Sequence, residues 1–111
     1  MSAIPEDFGP LSRTSPFTDL LGPIHEKRAA NGLIIGMLAE KKHCNARGIV
    51  HGGVLGTLAD IAMGYSSAFS TEPPTPMVTT SQTMDYVGKA EQGDWIEVHT
   101  DVQKVGRSTA F

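Results

Sequence analysis

The stretch from Val54 to Phe69 is apolar on most of its sides: Val54, Leu55, Leu58, Ile61, Ala62, Met63, Tyr65 and Phe69 leave no broad polar face. A helix of this kind needs cover from other elements, so the chain has to be built around it. Its remaining positions, Thr57, Asp60, Gly64 and Ser67, recur at spacings of three and four. They form one small or polar stripe, along which another element can approach closely. Three prolines between Thr71 and Pro76 end the helix. The stretch is too short and too interrupted to span a bilayer, so no membrane association is expected.

Around that helix the signals are mostly those of strands. Residues 1–14 hold Pro5, Gly9 and Pro10 and read as an irregular lead; residues 15–111 read as one domain. Ser15-Pro16 predicts a helix start, with Gly22 closing the short helix from Ser15 to Leu21. His25–Ala30 and Leu33–Glu40 flank Asn31-Gly32, which predicts a hairpin turn. Lys41–Gly48 is polar and reads as a loop. Met77–Val87 is rich in Val, Thr and Tyr and predicts a strand. Asp94–Val105 alternates, with Ile96, Val98, Thr100 and Val102 on one face and Glu97, His99, Asp101 and Gln103 on the other. Ser108 begins a further strand. A long helix wrapped by a curved antiparallel sheet is the simplest α+β packing for this order.

Composition narrows the function. The chain has 111 residues, a formal net charge of −3 and no Lys/Arg cluster, so no nucleic-acid partner is expected. An anionic ligand would have to be met by individual basic residues. A single cysteine, Cys44, makes no internal disulfide and suits a reducing cytoplasm. The acidic start of the chain, with Glu6 and Asp7, does not resemble a signal peptide.

The densest chemistry lies in Asn45-Ala46-Arg47-Gly48-Ile49-Val50-His51-Gly52-Gly53, which runs straight into the helix. A helix N-terminus presents open N–H groups and partial positive charge. Glycine admits a ligand to that backbone, which suits a carbonyl oxygen that gains charge in acyl transfer. The plainer reading of Gly52-Gly53 is a tight loop-to-helix turn. Asp60 lies within the apolar helix, where an unpaired carboxylate is costly. It is either a structural aspartate held by hydroxyls or a general base. It follows Gly52 by eight residues, roughly 12 Å along a helix. The two therefore cannot serve one carbon from the same subunit. If both act, the site is shared across a dimer, with the small stripe admitting the partner.

The run Asn45 … His51-Gly52-Gly53 … Asp60, followed by Val78-Thr79-Thr80 and Gly93-Asp94-Trp95, resembles the PaaI-type acyl-CoA thioesterases of the hotdog superfamily. The resemblance extends from about Ser15 to the end of the chain. It implies a hotdog fold, an acyl-CoA substrate with an aryl or medium-chain acyl group, and a homodimer or homotetramer. Coenzyme A would enter as part of the substrate, with no separate cofactor and no metal. The Gly52 amide would polarise the thioester carbonyl and Asn45 would bond or position it. Asp60 of the partner subunit would activate water, and the Thr79 hydroxyl would hold that water. His51 would either assist the leaving thiolate or be structural. Gly53, Gly106 and Ser108 would line the substrate. Lys89, Lys104 and Arg107 are either phosphate ligands or ordinary solvated charges.

Other readings fit less well. His43, Cys44 and His51 match no standard zinc spacing. Gly64-Tyr65-Ser66-Ser67-Ala68 lacks the strand that a nucleophile elbow requires. Gly52-Gly53-Val54-Leu55-Gly56 is not a dinucleotide fingerprint. A hotdog enoyl-CoA hydratase would want a closer Asn-to-His spacing than Asn45 to His51 provides. A non-catalytic acyl-CoA binding module on the same fold remains as the alternative. The hotdog pattern needs five or six strands, and four are reasonably complete before Phe111. The expectation is an incomplete domain, lacking a strand beside the one that bears Thr79.

Overall fold

The computed structural model describes residues 4–30 and 32–111. The lead expected to be irregular contains a two-residue strand, β1 (Gly9–Pro10), which pairs with His25 and Glu26. Leu11 follows it into the core. A buried apolar side chain so near the N-terminus draws the lead onto the sheet, which local composition does not reveal.

Helix α1 (Pro16–Leu21) starts where predicted. The Ser15 hydroxyl accepts from the Thr18 amide, and Thr18 Oγ1 accepts from the Ser15 amide. This reciprocal cap satisfies two N–H groups that the first turn leaves open.

Strands β2 (His25–Ala29) and β3 (Gly32–Leu38) form the expected hairpin. Its turn differs from the Asn31-Gly32 reading. Gly32 pairs with Ala29 as the first residue of β3, at φ 128, where only glycine is comfortable. Asn31 lies outside the described residues. Along β3 the pleat turns Leu33, Ile35 and Met37 into the core. Strand β4 (Trp95–Val98) pairs with the free edge of β3, from Ile35 opposite Val98 to Leu38 opposite Trp95. The sheet order is β1-β2-β3-β4, antiparallel throughout.

Helix α2 (Gly52–Ala68) lies across the inner face of this sheet. It begins two residues earlier than its apolar pattern suggests, so Gly52 and Gly53 belong to its first turn. Leu58, Ala62 and Ser66, one residue per turn, are its buried ridge and meet Leu33, Ile35 and Met37. Ser66 Oγ accepts from the Leu33 amide, which ties the helix to the sheet. The helix is not buried all round, contrary to expectation. Met63 is 41% exposed, and Thr57, Asp60, Gly64 and Ser67 are only half-buried. The apolar character of the second side therefore has no use within one chain.

Three strand expectations change. Met77–Val87 forms no strand: among the described residues no backbone hydrogen bond joins it to another segment. It runs extended beside α2, with Val78 88% and Val87 99% exposed. The strand read as Asp94–Val105 is ladder-paired only over Trp95–Val98. The predicted alternation of burial still continues through Val102. The start at Ser108 becomes the return arm of a small hairpin, with Val105 bridged to Ala110. No helix of the described residues is long and apolar enough to cross a membrane.

The outer face of the sheet carries a close contact. Trp95 packs edge-on to Phe8 at 5.1 Å and against His25 at 5.6 Å, directly over Gly36. A Cβ at position 36 would lie 2.6 Å from Trp95 Cη2. The indole is held by both neighbours and by its N–H bond to Glu97, so it cannot swing away freely. Gly36→Ala should therefore destabilise the fold by about 1–3 kcal/mol, the usual scale of overpacking. A urea midpoint equal to the parent's would show that the Trp95 cluster repacks without cost.

Candidate active site

The loop before α2 is held by a residue that the sequence suggested only as a weak zinc ligand. His43 is 1% exposed. Its Nδ1 accepts from the Glu40 amide at 2.9 Å, and its Nε2 donates to the Leu21 carbonyl at 2.6 Å. The amide donor defines which nitrogen is bare, so the ring is the neutral Nε2–H tautomer. Both nitrogens are engaged in these bonds. The His43 carbonyl accepts from the His51 amide at 3.0 Å. His43 thus joins α1, the 3₁₀ turn Lys41–His43 and the start of α2.

Asn45 shapes the turn that follows. Its Oδ1 accepts from the amides of Arg47 and Ile49 at 2.9 and 3.1 Å. Gly48 at φ 77 completes the reversal. With Oδ1 occupied by the loop, Asn45 Nδ2 remains as a donor with no acceptor among the described residues. His51 is the N-cap of α2; its ring is exposed and makes no capping bond. The His51 carbonyl accepts from Val54 and Leu55. Among the described residues the amides of Gly52 and Gly53 have no acceptor, as the first turn of a helix requires.

The second half of the site lies two turns along the same helix. The Thr79 hydroxyl donates to Asp60 Oδ1. Among the described residues Asp60 Oδ2 has no further hydrogen-bond partner, and Thr79 Oγ1 accepts from none. The carboxylate is half-buried rather than enclosed in apolar side chains. The same segment makes two more bonds: Gln82 Nε2 to the Gly56 carbonyl at 2.9 Å, and Tyr86 Oη to the Gly52 carbonyl at 2.8 Å. Gly52, Gly56 and Asp60 are one stripe of α2 at four-residue spacing, and Tyr86, Gln82 and Thr79 descend it in reverse order. No local signal marks Gln82 or Tyr86, which read only as parts of a strand.

The basic residues are not gathered in one place. Lys89 lies near the N-terminal end of α2, since the Val50 amide donates to Ala90, and it pairs with Glu91 at 3.2 Å. Lys104 lies at the other end of the helix. It lines a cavity of about 500 Å³ with Gly32, Ser66, Phe69 and Asp101. Gly106 turns the chain by donating to the Thr109 carbonyl, and Arg107 and Ser108 are exposed on that turn. Glu97 is held below its usual range by the Trp95 indole N–H and by His99, and Asp7 by its bond to Lys27.

A long helix lying across an antiparallel sheet is the framework of a hotdog fold. A sequence profile of the thioesterase superfamily matches residues 47–111, and the chain belongs to that superfamily and is a thioester hydrolase. It is 50% identical to a Pseudomonas aeruginosa protein named as an esterase, over 100% of this chain and 84% of that one. It is 32% identical to human acyl-coenzyme A thioesterase 13, over 91% of this chain and 72% of the relative. Among solved structures, zebrafish thioesterase superfamily member 2 superposes with TM-score 0.77 at 30% identity, covering 86% of this chain and 70% of the other. A protein from Thermus thermophilus gives TM-score 0.76 at 28% identity, over 88% of this chain and 80% of the other.

Proposed function

We propose that the chain hydrolyses acyl-CoA thioesters with an aryl or medium-chain acyl group, in a site shared by two subunits. The observation that carries this reading is the bond from Thr79 to Asp60, two helical turns from the open amides of Gly52 and Gly53. One half can hold and deprotonate water; the other can take up negative charge on oxygen. Eight residues of helix separate them by roughly 12 Å, too far for one carbon to meet both. A second copy running alongside brings one chain's Asp60 toward its partner's Gly52.

In this mechanism the thioester carbonyl oxygen accepts from the Gly52 amide and Asn45 Nδ2. Gly53, beside it in the first turn, leaves room for the acyl carbon. Water donates one hydrogen to Asp60 Oδ2 and the other to Thr79 Oγ1. Attack on the carbonyl carbon passes the first proton to Asp60, and the oxyanion rests on the helix N-terminus. Collapse breaks the C–S bond, and the coenzyme A thiolate takes up the proton that Asp60 received from water, with His51 exposed nearby to relay it. Lys89 from one subunit and Lys104 and Arg107 from the other would meet the phosphates of coenzyme A, alongside Gly106 and Ser108. The two basic groups lie at opposite ends of α2, so only a dimer offers both to one ligand.

The dimer has its own support. Residues 77–87 present backbone that is unpaired among the described residues, and exposed valines, beside the uncovered side of α2. Open backbone edges favour pairing with a further strand, and a second copy would cover this segment and the helix together. A thiol-release assay over aryl- and medium-chain acyl-CoAs tests the activity. Turnover of one class is expected. Tight acyl-CoA binding with no thiol release from any substrate would make the chain a binding module.

A further inference from the structure

We infer that Tyr86 is a positioning residue for the carbonyl-polarising turn, an inference that rests on the hydrolase reading above. Its hydroxyl donates to the Gly52 carbonyl at 2.8 Å. That carbonyl belongs to the peptide whose N–H is Gly53, one of the two open donors at the start of α2. A hydrogen bond at the oxygen of a peptide fixes its plane, and this plane shares the Gly52 Cα with the peptide whose N–H meets the thioester, so the bond sets the orientation of the Gly52 turn. The ring contributes separately. A Cβ at Gly52 would lie 3.1 Å from Tyr86 Cζ and 3.3 Å from Cε1. The phenol therefore rests on the bare face of Gly52, in space that a larger residue would occupy.

This gives Gly52 a second reason to be glycine. An alanine there keeps its N–H, so a role for the amide alone does not forbid the substitution. Alanine would require the Tyr86 ring to give by a few tenths of an ångström, which displaces the hydroxyl from its bond to the Gly52 carbonyl. Tyr86 also ends the three-bond ladder that holds residues 79–86 along Asp60, Gly56 and Gly52. The same segment thus sets the Thr79–Asp60 pair at one end and the Gly52 turn at the other. Tyr86 touches neither water nor the reacting carbon; it acts through Gly52.

The test is Tyr86→Phe, which removes one oxygen from a residue that is 54% exposed in the single chain and should leave folding intact. Loss of a direct oxyanion donor costs about 10²–10³-fold in kcat. Tyr86 acts one bond away, so kcat should fall about 10-fold with KM within about twofold. A non-hydrolysable thioether analogue of the best substrate, titrated by calorimetry, should bind with the parent's stoichiometry. Gly52→Ala should lower kcat at least as much while retaining its amide. An unchanged kcat for Tyr86→Phe overturns the inference, as does a loss matched by lost binding stoichiometry, which would mean misfolded sites. If the parent protein itself releases no thiol, the hydrolase reading has failed first, and the two failures are told apart.

Discussion

Asp60→Asn should fold and assemble as the parent does, yet turn over at least about 100-fold more slowly, the scale for losing a positioned general base. The amide oxygen of asparagine still accepts the Thr79 hydroxyl, so the contact that holds the segment to α2 survives. Asp60 is half-buried, so a neutral isostere carries no large penalty of its own. What disappears is the second carboxylate oxygen as a proton acceptor. Turnover at saturating substrate, with circular dichroism and light scattering on the same sample, checks the expectation. Near-normal hydrolysis by a folded variant would remove Asp60 from the chemistry.

Mixing two dead variants should recover activity. An Asp60→Asn chain keeps its helix N-terminus, and an Asn45→Ala chain keeps its carboxylate. In a mixed dimer one of the two sites then contains both intact halves and the other contains neither. Random exchange of equal amounts makes about half of the dimers mixed, so about one quarter of the parent's activity should return. Asn45→Ala loosens its loop, because Oδ1 holds two amides there, so the mixture is compared with each variant alone under the same conditions. Full activity in a monomer at assay concentration, or no recovery between variants shown to exchange subunits, would end the shared-site account.

The main helix and its partners were legible because each rests on a local rule. The apolar run set α2, Ser15-Pro16 set the start of α1, and alternation set the inward face of β4. Spacing and resemblance single out Asn45, Gly52, Asp60 and Thr79 as candidates, and the structure brings Thr79 onto Asp60. The turn at Gly32 was misread by one position because register depends on which strand residues face each other, not on the dipeptide alone.

What escaped the sequence is what depends on distant segments meeting. His43 gives no local sign that its ring is buried between an amide and a carbonyl from α1. Tyr86 carries the propensity of a strand residue, yet its position is set by a glycine thirty-four residues earlier. Met77–Val87 has the composition of a strand, but a strand exists only when a neighbour takes its backbone bonds. Local pattern decides which faces are apolar and where helices begin. Pairing, burial of polar groups and the meeting of Asp60 with its hydroxyl are decided by contacts across the chain, because those energies belong to pairs of residues and not to either one.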